Sequence, residues 1–154
     1  MIALLQRVES ASVAVEGEQI AAIGQGLLVL LGVEKDDHDE TLSRMAEKIL
    51  KYRVFSDSDD KMNLSVMDIA GSVLMVPQFT LAADTRKGLR PSFSSAASPE
   101  KGLAMFSQLI DIIKVKGETM ADELPENWLQ TGRFGADMAV ELVNDGPVTF
   151  YMSI

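Results

Sequence analysis

The chain has 154 residues, 47% of them hydrophobic and 24% charged, which fits one ordinary globular domain over residues 1–154 and excludes a disordered or fibrous chain. It has no cysteine, so disulfides, thiolate–metal sites and a cysteine nucleophile are ruled out. A net charge of −9 opposes non-specific attraction to a phosphate backbone, so any contact with RNA has to be local.

The start, "MIALLQRVES", meets Arg7 and Glu9 too early for a signal peptide or a membrane span. The expected location is therefore the cytoplasm, with no membrane partner. Residues 2–8 and 11–15 read as two strands, and Glu16-Gly17 as a hairpin turn into "QIAAI". "GLLVLLGV", 26–33, is a continuous apolar run between glycines, the pattern of a strand buried on both faces at the centre of a sheet. An acidic stretch then leads into Leu42, Met45, Ala46, Ile49 and Leu50, a helical stripe that predicts a helix over 39–51.

"YRVFS" predicts a short strand, "DSDDKMNLSV" a turn, and "GSVLMVPQFTL" a second strongly apolar run broken by Pro77. Ser98-Pro99-Glu100 is a helix start, with Ser as the cap and Pro in the first turn. Leu103, Phe106, Leu109, Ile110 and Ile113 supply its buried stripe, and Lys114, Lys116 and Gly117 its close. Residues 118–130 read as acidic and irregular. "ADMAVELV" and "VTFYMSI" alternate as strands paired around Asn144 to Pro147. Two helices and about eight strands indicate an α/β layered domain whose helices cover a curved sheet.

His38 stands in the acidic run "DDHDE", where a Ser-His-Asp triad would need a distant serine and the spacing of a metal site is absent. "DSDDKMN" lacks the glycine and terminal glutamate of a calcium loop. Arg86, Lys87 and Arg90 lie close together on a loop rich in turn residues, where a local phosphate contact is conceivable, although a solvated loop has the same composition. The remaining oddities are two prolines at strand ends, in "VPQFTL" and "NDGPVT". A proline there makes the chain leave its ladder and frees neighbouring backbone groups to meet a ligand. On strand spacing, Gln78 and Thr80 share a face and Phe79 points oppositely.

Taken together, "QRV" at 6–8, "GLLVLLGVEKDD" at 26–37, "KMNLSV" at 61–66, "PQFTLAADTRKGLRPSFS" at 77–94 and "TGRFGADMAVELVNDGPVTF" at 131–150 closely resemble the D-aminoacyl-tRNA deacylases over nearly the whole chain. The resemblance implies a compact three-layer β/β/α domain with curved, partly barrel-like sheets and two main helices. It implies hydrolysis of the ester between a D-amino acid and the terminal adenosine of tRNA, removal of mischarged glycine, and no cofactor or metal. It further implies a homodimer with active sites at the subunit interface, acting on the 3′ end of aminoacylated tRNA.

On the same basis Gln78, Phe79 and Thr80 line the catalytic site, with backbone N–H groups available to the developing oxyanion. Gly146-Pro147 is a cis pair inserted into the partner's site as a gate against L-amino acids, and Arg7 orients it. Phe134 and Met138 wall the adenosine pocket. Arg86, Lys87 and Arg90 meet the tRNA. Two departures stand out: Pro77 occupies a position where the family typically has serine, and residues 117–130 are longer and more acidic than usual. Pro77 keeps open a catalytically weak or inactive module that binds aminoacyl-adenosine or RNA ends. A structural dimer without a ligand is a third possibility.

Overall fold

The first apolar stretch does not break into two strands. In the computed structural model, which describes residues 1–86 and 88–154, β1 runs unbroken over Ile2–Val15. Glu9 and Ser10, both exposed, mark where it changes partners. Its first half pairs antiparallel with β3 (Gly26–Gly32) and its second half with β2 (Glu18–Ile23), on one and the same edge. Glu16 and Gly17 make the turn between β1 and β2 with φ of 53° and 83°, the left-handed pair that a tight hairpin requires.

β3 pairs in parallel with β6 (Ser72–Pro77), and β6 with β7 (Leu129–Thr131). β8 (Ala139–Ser153) runs along the other edge of β1. Here the hairpin expected around Asn144 to Pro147 is absent. Both of its halves find their partner on β1, because Pro147 has no N–H with which to start a two-stranded ladder. β8 continues past the interruption instead. A small β4 (Phe55–Ser56) and β5 (Met62–Leu64) pair separately. Between them the Asp57 carboxylate accepts the Asp59 and Lys61 N–H groups and the Asn63 amide, which is the expected turn.

β3 alternates between two cores, as its unbroken apolar sequence predicts. Leu27, Val29 and Leu31 face the helices together with Val73 and Met75 of β6. Leu28 faces the other way and packs with Leu74, Val76, Val8, Val13 and Ile23. That second core closes because the sheet curls until β2 lies against β6 and β7. The architecture is therefore α/β, a curled and nearly barrel-shaped sheet covered on one side by two helices.

Helix α1 spans Asp39–Lys51, as predicted, and buries Leu42, Met45, Ile49 and Leu50, each worth about 2 kcal/mol of transfer free energy. His38 is its N-terminal cap residue: its N–H donates to the Thr41 hydroxyl (3.4 Å), which also lies 2.9 Å from His38 Nδ1. Helix α2 spans Pro99–Met120, three residues beyond the expected close at Gly117. Gly117 is not a terminator. A Cβ there would stand 2.3 Å from Trp128 Cη2, so glycine is present to let the indole lie on the helix. Residues 118–120 continue α2, and only 121–128 are irregular. Among the described residues no helix is long and apolar enough to cross a membrane.

Candidate active site

β6 ends at Pro77, and the chain turns into a short 3-10 helix at Phe79–Ala82. The Gln78 N–H donates to the Leu31 carbonyl (2.7 Å), so the turn is fixed to the end of β3. Gly32 makes room for it, since a Cβ there would lie 3.0 Å from Leu81 and 3.1 Å from the Gln78 carbonyl oxygen. Gln78 and Thr80 do come together, but through turn geometry rather than strand alternation: Gln78 Nε2 donates to Thr80 Oγ1 at 2.5 Å. The first N–H groups of a helical turn have no partner inside it. Those of Phe79 and Thr80 accordingly meet no acceptor among the described residues.

Beside this turn is a cavity of about 520 Å³. Gln78, Phe79, Phe134 and Met138 line it, together with the start of α2 at its cap Ser98 and at Gly102. Phe134 reaches its place because Gly102 has no side chain, a Cβ there being 3.1 Å from its ring. The ring also leans on Phe106 at a centroid distance of 6.4 Å. Met138 is held by the Arg133 N–H, which donates to its sulfur (3.3 Å), and it lies over Gly132. The cavity is thus mostly apolar with the Gln78 amide among its few polar groups, the usual make-up of a small-ligand site, whereas Thr80 does not line it and meets it only through its hydrogen bond to Gln78.

Gly146 and Pro147 do not reach this cavity. Gln6 faces Thr149 and Val8 faces Asn144, so residues 145–148 leave the ladder as an excursion opposite Arg7 alone, with Val148 turned into the main core. The Gly146–Pro147 bond is cis. Gly146 has φ +140°, and a Cβ on it would lie 2.6 Å from Val148 Cγ2 and 3.3 Å from the Arg7 guanidinium. Arg7 Nε donates to the Asp145 carbonyl (3.0 Å) and pairs with its carboxylate (3.0 Å), while Nη1 donates to the Val54 carbonyl (2.7 Å). Asn144 closes the excursion from the other side, its amide oxygen accepting the Val148 N–H at 2.7 Å. From Val140, at the cavity, six residues of strand to Gly146 cover about 20 Å.

Arg86 and Arg90 are exposed on the loop after the 3-10 helix, and Lys87 lies outside the described residues. Arg86 is partly neutralised. Its guanidinium donates to both oxygens of Asp84 (2.9 and 2.7 Å), and those bonds hold the Asp84 carboxyl well below the usual carboxylate range. Sequence reasoning reads Ser98 only as a helix cap and does not single out Gly102, or Asn144 as a residue of the site.

The sequence model of the family described as D-Tyr-tRNA(Tyr) deacylase matches residues 4–153. The chain belongs to this family. The expectation drawn from the motifs is borne out, and it extends to close relatives. Proteins named D-aminoacyl-tRNA deacylase from Escherichia coli O81 (strain ED1a) and Shigella boydii serotype 18 (strain CDC 3083-94 / BS512) are each 54% identical over the full length of both chains. A solved structure described as c-Myc DNA Unwinding Element Binding Protein is 39% identical, with a TM-score of 0.91 over 100% of this chain and 99% of that one. A probable eukaryotic D-amino acid tRNA deacylase superposes with a TM-score of 0.83 over 99% and 98% of the two chains at 19% identity, a likeness of fold.

Proposed function

We infer that this protein hydrolyses the ester of D-aminoacyl-tRNA at a site made by two copies of the chain, and that it refuses the L-aminoacyl ester. Membership of the D-Tyr-tRNA(Tyr) deacylase family carries the coarse activity: the protein is a hydrolase, a D-aminoacyl-tRNA deacylase. The finer reading rests on one observation. The cavity and the Gly146–Pro147 excursion stand apart within a chain, so a site that uses both needs a second copy. The outer edge of β8, where Val143 and Tyr151 are more than half exposed, is a surface available to such a homodimer.

In this reading the terminal adenosine of the tRNA 3′ end enters between Phe134 and Met138, and the ester carbonyl meets the N–H groups of Phe79 and Thr80. Water adds to that carbonyl, and the oxyanion accepts from the two N–H groups. The acyl–oxygen bond then breaks and the ribose oxygen leaves as a hydroxyl. With no cysteine and with His38 used as a helix cap, a hydroxyl of the RNA itself assists, while the protein positions and rejects. The carbonyls flanking Pro147 take the amino group of a D-substrate and leave no room for an L side chain. Glycine, which has no side chain to refuse, passes the same gate on mischarged glycyl-tRNA. Arg86, Lys87 and Arg90 meet phosphates, and the work is done in the cytoplasm.

Pro77 supports a second reading, a weak or inactive module that binds aminoacyl-adenosine or RNA ends, since it removes an N–H at the head of the motif. A large gain of turnover in Pro77→Ser would favour it. The composite site is tested by mixing two inactive chains, Gly146→Ala and Phe79→Ala. Each mixed dimer holds one intact site, so about a quarter of the activity returns when the site is shared. No recovery would mean that each chain works with its own residues.

A further inference from the structure

Phe79 is 59% exposed and Phe93 40% exposed, yet the two rings pack on each other with centroids 5.1 Å apart and planes at 49°. A pair of aromatic side chains held half open to solvent leaves much of its apolar area unburied, so an occupant is called for. The pair is not loose. Phe93 sits just after a loop closed by two bonds, Asp84 N–H to the Ser92 carbonyl (2.8 Å) and Ser92 N–H to the Asp84 carbonyl (3.0 Å). Beyond Phe93, the Ser95 hydroxyl bonds the Ala82 carbonyl, and the Ser95 carbonyl accepts the Lys35 N–H (3.0 Å). Phe79 in turn belongs to the wall of the 520 Å³ cavity. The loop itself carries Arg86 and Arg90, both exposed.

We propose that the Phe79–Phe93 pair is a stacking platform for the unpaired nucleotide that precedes the one held in the cavity. Exposed aromatic faces on a loop that also carries cations, in a chain of net charge −9, are the means by which single-stranded nucleic acid is held without reading its bases. The base lies on the Phe93 ring, and its phosphate faces the guanidinium groups of the same loop. Asp84 keeps the Arg86 guanidinium turned to one side and so sets where that phosphate can stand. This inference rests on the cavity taking the terminal adenosine.

The test compares the affinities of wild type and Phe93→Ala for adenosine 5′-monophosphate and for an uncharged single-stranded trinucleotide ending in adenosine. The platform predicts that wild type prefers the trinucleotide, that Phe93→Ala lowers the trinucleotide-to-mononucleotide affinity ratio about tenfold, and that Phe93→Tyr restores it. A ratio unchanged by Phe93→Ala, with both affinities falling alike, overturns it, because Phe93 then only supports the cavity. A change of oligomeric state with unaltered nucleotide affinities also overturns it, and makes the pair a contact between copies. If the ratio behaves as predicted but wild type releases no amino acid from charged tRNA, the deacylase reading fails and the platform stands.

Discussion

Arg7→Ala removes the cationic side chain that, with Asn144 and the buried Val148, ties the 145–148 excursion to the body of the fold. The guanidinium is 11% exposed and makes two bonds to main-chain carbonyls, those of Asp145 (3.0 Å) and Val54 (2.7 Å). Hydrogen bonds from a charged donor contribute about 1.5–3 kcal/mol each. The ion pair to Asp145, whose carboxylate is 38% exposed, adds under about 1 kcal/mol. Allowing for non-additivity, Arg7→Ala is expected to lower the unfolding free energy by about 3–4 kcal/mol, read as a shift of the urea midpoint at fixed protein concentration with an unchanged slope. Arg7→Lys is expected to recover less than half, because one ammonium cannot span both carbonyls. A loss below about 1 kcal/mol for Arg7→Ala would refute the claim that this side chain holds the excursion.

Three further outcomes follow from the packing and the charges. Gly117→Ala gains about 1 kcal/mol of helix propensity but drives a methyl to 2.3 Å from Trp128, so thermal unfolding is expected to show a net loss of about 1–2 kcal/mol; a stabilised variant would contradict the packing role. Asp37→Ala strips the buried Met1 ammonium of its 2.5 Å partner and is expected to cost about 3 kcal/mol in denaturant unfolding, where a cost under 1 kcal/mol would show the pair to be unimportant. The Ser65 hydroxyl holds the Asp68 carboxyl below its ordinary value, and Asn63 and Arg86 do the same for Asp57 and Asp84. Their stabilisation is therefore full above the unfolded pKa near 3.9 and is lost as pH falls through the lower folded values. Denaturation midpoints are expected to fall below about pH 4, and Asp68→Asn to lessen the fall; an unaltered pH slope would contradict the assignment.

Much of the fold is legible where one pattern has one solution. The apolar run of β3 has no polar face, so it can only sit between two cores, and the stripe of α1 fits a helix between an acidic start and a basic end. The misreadings come where a local signal competes with a distant partner. Asn144-Asp145-Gly146 is a good hairpin turn by itself, but β1 offers a ladder to both flanking segments, and Arg7 and Asn144 fix the surplus residues as an excursion. Gly117 reads as a helix end, because nothing nearby in sequence announces Trp128. The site divides in the same way. Gln78, Phe79, Phe134 and Met138 are named by their motifs, whereas the cavity also needs the first turn of α2, whose residues look like ordinary helix. That Gly146 and Pro147 stand away from the cavity could not be read from spacing at all, since both strand ends carry the same proline signal.

The proposed function makes the Gly146-Pro147 pair the gate of the deacylase. It is tested most directly by timing the release of D-tyrosine and L-tyrosine from matched charged tRNA, with wild type and Gly146→Ala side by side. Wild type is expected to release the D-ester alone and rapidly, and Gly146→Ala to lose activity or selectivity, because a side chain is forced onto a backbone at φ +140° beside Arg7. Release of both esters by wild type, or an unchanged preference in Gly146→Ala, would contradict it.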